Sequence, residues 1–138
     1  MWLVGFPLLL IPFAIYNIIA FLMPDVAWNA PVTTVAMVSG AAWAMTPGAF
    51  LLTLAVLTLL LEIIKATRTS ARSIVDHALS LILFLGMVVE FILVPRAATE
   101  TFFLLLVITF VDVIGGFAVT LRTAQRDLTI EGGERLIS

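Results

Sequence analysis

Four long apolar stretches, at about 2–22, 47–66, 74–94 and 101–121, constrain this chain more than any other feature. Each holds roughly 20 residues, and a helix of that length, rising about 1.5 Å per residue, crosses the roughly 30 Å hydrocarbon core of a bilayer. Hydrocarbon offers the backbone no hydrogen-bond partners, so separate spans of this kind have to be helices. The expected fold class is therefore an all-α integral membrane protein. Its form is a four-helix transmembrane bundle over residues 1–126, followed by a short polar cytoplasmic tail over 127–138. Composition agrees with this class: 62% of residues are hydrophobic and 12% are charged, against about 45–50% and about 25% in soluble domains.

The first stretch has no Lys or Arg before it, and the small residues at Ala27–Ala30 run straight into Pro31. Both features argue against a cleaved signal peptide, so the stretch is expected to stay as a span. Orientation follows from the basic residues. Lys65, Arg68 and Arg72 occupy the short link between the second and third spans, and Arg122, Arg126 and Arg135 follow the fourth. Only Arg96 lies elsewhere. This split places both termini in the cytoplasm of a bacterial inner membrane, with 23–46 and 95–100 outside. Lys65, Arg68 and Arg72 then become contacts to lipid headgroups or to a partner.

The segment from 30 to 44 is too short to span and too apolar for water. Asn29 followed by Pro31 resembles a helix cap with a first-turn proline. The expectation is a short interfacial helix on the outer face, with Trp28 and Trp43 in the aromatic belt. A re-entrant segment is the alternative.

Ionisable residues inside a span are costly, so depth ranks them. Asp112 stands at the middle of the fourth span. Thr109, Asp112, Gly116 and Thr120 follow helical steps along one face, opposite Phe103, Leu106, Phe110 and Phe117. Gly115-Gly116 allows another helix close approach. Asp112, with Thr109 beside it, reads as a proton- or cation-binding carboxylate, or else as hydrogen-bonding glue between helices. Glu90 matches the depth of Asn17 in the first span, and the two form a second candidate binding pair. Arg96 is the other partner within reach of Glu90. Pro12 is expected to kink the first helix and free the Leu8 carbonyl for Asp112. Glu62 and Lys65 are spaced for an i,i+3 ion pair. Together with Arg68, Arg72, Asp76 and His77 they read as a mixed-charge cluster at the cytoplasmic surface that anchors to anionic lipid, with His77 solvated.

The chain contains no cysteine and one histidine, which rules out disulfides, thiolate metal sites and multi-histidine sites within one copy. It has no basic face for nucleic acid at a net charge of −2. No phosphate loop, His-Glu-x-x-His or Gly-x-Ser-x-Gly is present. No cofactor, no metal and no enzymatic activity are therefore expected. The functional expectation is an accessory or assembly subunit of a larger membrane complex. A small homo-oligomeric transporter or channel using Asp112 is the alternative, and a lipid- or quinone-active enzyme built on Glu62, Asp76 and His77 comes third. The expected partners are the bilayer and other membrane subunits or further copies of the chain.

Overall fold

In the computed structural model, residues 5–67 and 71–137 are described. Thr46 caps the helix that follows it: its hydroxyl accepts from Ala49 N at 3.1 Å, and Pro47 supplies a preset first turn. Helix α2 then runs Pro47–Ala66, the stretch expected from the sequence. Helix α3 runs Ala71–Leu93. A single 3-10 turn at Pro95–Ala97 connects it to α4, Glu100–Ile137. Among the described residues, three helices are long and apolar enough to cross a membrane: Pro47–Ala66, Ile74–Leu93 and Glu100–Gly133. Of the basic link, Arg68 lies outside the described residues, as does the side chain of Arg72.

The first helix differs from its expectation. Helix α1 covers only Leu10–Leu22, 13 residues, or about 20 Å. Residues 2–4 of the expected span lie outside the described residues. Gly5 adopts φ +94, a conformation that ends helical continuity. Leu10 N and Ile11 N donate to Pro7 O and Leu8 O in tight turns. Pro12 thus falls in the first turn of α1, where a missing N–H costs little, rather than kinking the middle of a span. The Leu8 carbonyl accepts from Ile11 N at 3.0 Å.

Residues 30–44 are not an interfacial helix. They form a hairpin of β1, Thr33–Ala36, and β2, Ala42–Met45, paired antiparallel with Thr33 opposite Met45 and Ala36 opposite Ala42. Val32, Thr33, Thr34 and Val35 are β-branched and favour strand over helix. Ser39-Gly40 then turns the chain, with Gly40 at φ +86. The hairpin stands away from the bundle, and Val32, Val35, Met37, Val38 and Trp43 are all exposed. The segment 127–138, expected as a separate tail, is instead the continuation of α4 as far as Ile137. At 38 residues, α4 is about 57 Å long.

Helix α4 packs most extensively on α2 and next on α3, while α1 leans on α2 and the 3-10 turn. The core joins Leu9, Tyr16 and Ala20 to Leu51, Ala55, Met87, Phe102 and Leu105. Tyr16 stacks on Trp28 with centroids 4.5 Å apart, and Phe102 meets Tyr16 edge-on at 5.0 Å. Outside, α2 exposes Leu57, Leu60, Leu61 and Ile64, α3 exposes Ile82, Leu85, Val89 and Ile92, and α4 exposes Phe103, Phe110 and Ile114. Thr58, Glu62, His77, Ser80, Thr109 and Asp112 are buried instead. A water-soluble fold has the opposite distribution.

Candidate functional site

The face of α4 traced through Thr109, Asp112, Gly116 and Thr120 turns into the bundle. Thr109 is wholly buried and Asp112 is 5% exposed. The opposite face, with Phe103, Phe110 and Phe117, is exposed. Helix α2 brings Ala55, Thr58, Glu62 and Lys65 to the same interior along one stripe. Helix α3 contributes His77, Ser80 and Met87, which share a face at steps of three and seven and are all buried.

These three stripes meet at the end of the bundle that carries Lys65. Asp112 takes a side-chain hydrogen bond from Ser80, and the charges of Glu62 and Lys65 act on it. The Cε1–Nδ1 edge of the His77 imidazole lies against Gly116. A Cβ on that residue would sit 2.7 Å from His77 Cε1, so only glycine admits the ring. His77 Nε2 and Thr120 Oγ1 are hydrogen-bonded at 2.5 Å. Glu62 Oε1 accepts from Leu8 N and from Lys65 Nζ, the latter at 3.3 Å. Lys65 Nζ also donates to Phe6 O at 2.8 Å. The N-terminal segment Gly5–Leu9 is therefore fastened across this end by one carboxylate and one ammonium. Lys65 Nζ thus makes two bonds within the chain.

Asp76 completes the cluster. Its Oδ1 is buried and has no hydrogen-bond partner among the described residues. A cavity of about 10 Å³ is lined by Glu62, Lys65, Ala66, Asp76 and His77. No group of three or more His, Cys, Asp or Glu is placed to hold a metal ion among the described residues.

A second polar group forms at the end that carries Trp28. Asn17 Nδ2 donates to Glu90 Oε2 at 3.3 Å, the contact matched by depth in the sequence. Arg96 donates to Ala20 O at 2.7 Å and lies over the Phe21 ring. Tyr16 Oη donates to Arg96 O at 2.8 Å and is 2.7 Å from Thr99 Oγ1. Cavities of about 320 Å³ and 290 Å³ open on either side of Trp28 and Thr99, and the larger reaches Arg96. The two polar ends do not meet. Ser80 and Glu90 are ten residues apart on α3, about 15 Å. Between them Met87, Phe102 and Leu105 are fully buried. Thr109 Oγ1 is turned onto Leu105 O at 2.9 Å and the Met87 sulfur at 3.4 Å.

Of the residues singled out in the sequence, Asp112 and Thr109 lie on one inward face, and Asn17 and Glu90 pair at the far end. Sequence reasoning placed Glu62, Asp76 and His77 in a mixed-charge cluster at the cytoplasmic surface, with His77 solvated. The structure buries Glu62 and His77 to 6% and 7% exposure. The spacing of His77, Ser80 and Met87 carried that signal, because it puts the imidazole on the same face as two other inward residues. Chemically, the cluster holds three carboxylates, one imidazole and one ammonium where water is scarce. Such a set is suited to taking up and releasing a proton. Comparison with known proteins finds no matching family model, no matching curated protein and no matching solved structure.

Proposed function

We propose that this chain is a small multi-pass membrane protein that moves a solute or ion across the bilayer with Asp112 as its proton-binding carboxylate. The observation that carries the reading is the interior at the Lys65 end: Asp112, Glu62 and His77 buried together between three apolar-coated helices. Carboxylates in such a place mark ion and proton pathways. The fully buried layer of Met87, Phe102 and Leu105 keeps the two polar ends apart, as a carrier requires if it is not to leak. The basic residues orient the Lys65 end toward the cytoplasm, with both chain ends on that side. In liposomes, Asp112→Asn abolishes proton-coupled flux and leaves the helical circular-dichroism signal unchanged. Wild-type flux from that variant refutes the proposal.

The hairpin favours a second reading, an accessory subunit of a larger membrane complex. It exposes Val32, Val35, Met37 and Trp43 with nothing among the described residues to cover them, and isolated two-stranded hairpins are marginal in water. Under this reading, cross-linking from position 35 or 43 in native membranes captures one defined membrane protein, and deleting the chain destabilises that protein.

A further inference from the structure

The group the cluster leaves unexplained is Asp76. A buried carboxylate oxygen with no partner is expensive, because its lost hydration is not replaced. Asp76 Oδ1 is in that state beside a cavity of about 10 Å³. That volume is close to the lower limit for one water, and a water settles only where it finds two to four polar partners. The walls provide them. Asp76 Oδ1 is an open acceptor. Lys65 Nζ has three N–H groups, two of them committed to Phe6 O and Glu62 Oε1. Glu62 and His77 supply the remaining sides.

We propose that this cavity binds a single water linking Asp76 to Glu62, Lys65 and His77, and that this water is the port through which protons reach the Asp112 site from the Lys65 end. The second half rests on the transport reading above, and the first half does not. The groups facing the water are Glu62 and Lys65 from α2 and Asp76 and His77 from α3. Phe6 O and Leu8 N of the N-terminal segment are already held by Lys65 and Glu62. Asp112 and Thr120 of α4 lie behind, the first under the charge of Glu62 and the second bonded to His77. Each transfer moves one proton. The Asp76 carboxyl takes it up from outside and, from Oδ1, passes a proton to the water oxygen. The water releases a different proton to Glu62, which lines the cavity and whose charge acts on Asp112, and returns to neutral. No electron pair leaves and no co-reactant is consumed. The Gly5–Leu9 segment is tied over this end, and Gly5 borders Asp76 Oδ1, where a Cβ would lie 3.7 Å away.

The test is infrared difference spectroscopy on the full chain in liposomes, with Asp112→Asn identifying the Asp112 carboxyl band. Wild type is expected to show a buried-water O–H band that shifts in H₂¹⁸O. Asp76→Leu, which removes the acceptor, loses that band. Asp76→Asn keeps an acceptor, and so keeps the band, but cannot carry a proton. It therefore slows protonation of Asp112 after a pH jump on the Lys65 side by about 100-fold, the scale on which a positioned proton-transfer group acts. Absence of an ¹⁸O-sensitive band in wild type overturns the water. Wild-type protonation rates in Asp76→Asn overturn the port. An Asp112 band that never titrates overturns the transport reading and leaves the water band to be judged on its own. If Asp76→Leu fails to fold, the isosteric Asp76→Asn still decides the port, and the wild-type band alone decides the water.

Discussion

Gly115 and Gly116 are neighbours on α4, yet the same substitution is expected to act with opposite sign at the two positions. A Cβ at Gly115 meets nothing within 4 Å, whereas one at Gly116 lies 2.7 Å from His77 Cε1 and 2.8 Å from Nδ1. Ordinary carbon contacts are about 3.5–4.0 Å, so in Gly116→Ala the ring must retreat by about 1 Å. The His77–Thr120 hydrogen bond is 2.5 Å long, and a retreat of that size brings it to the limit at which such a bond counts. Overpacking costs about 1–3 kcal/mol, and the weakened bond adds about 1 kcal/mol. Relief of the helical glycine returns about 1 kcal/mol. Gly116→Ala is thus destabilised by about 1–3 kcal/mol, while Gly115→Ala gains up to about 1 kcal/mol. Reversible unfolding of the full chain in mixed micelles measures the difference. The chain has one histidine, so the imidazole resonances of His77 report the displacement without assignment ambiguity. Equal stability of the two variants, or unshifted His77 resonances in Gly116→Ala, would refute the packing argument.

Three further outcomes follow from other contacts. Gly48→Ala drives a methyl to 2.5 Å from Thr101 Oγ1 and 2.9 Å from Trp28 O. It should lower the unfolding midpoint by an amount equivalent to about 1–3 kcal/mol. Tyr16→Phe keeps the stack on Trp28 but removes the bonds to Arg96 O and Thr99. A loss of about 1–3 kcal/mol is expected by the same unfolding assay, since Arg96 O loses its donor while Thr99 Oγ1 keeps only Phe102 N. Gly40→Ala strains a residue at φ +86 by about 1–2 kcal/mol. It should speed amide exchange at Val32 and Met37, which donate to Met45 O and Ala41 O, and leave exchange in α2 unchanged.

Where hydrophobicity alone decides the structure, the sequence was legible. Helix α2 has the expected ends because Thr46-Pro47 starts it by local chemistry. The inward face of α4 followed from spacing, since polar and phenylalanine residues segregate there at helical period. Three features were less legible. Apolarity over 30–44 marks a segment that avoids water, but it does not choose between helix and hairpin. The β-branched run and Ser39-Gly40 made that choice. Helix α4 outlasts its apolar stretch because Gln125, Arg126, Leu128 and Glu131 are good helix formers that need no lipid. The burial of Glu62 is tied to the Gly5–Leu9 segment, whose Leu8 N donates to its carboxylate. That long-range contact has no local signature, and it turns an expected surface cluster into the interior of the site.

The short first helix also bears on how the chain would enter a membrane. Its 13 residues give about 20 Å of helix, less than hydrocarbon requires, and the remainder is the bent segment Gly5–Leu9. Bent backbone is tolerated in lipid only where protein satisfies its polar groups. Here the partners of Phe6 O and Leu8 N are Lys65 and Glu62, more than fifty residues later. The segment Gly5–Leu22 thus lacks, by itself, the means of settling across a bilayer. Such a segment would settle in a membrane only together with α2, whose Glu62 and Lys65 satisfy its backbone.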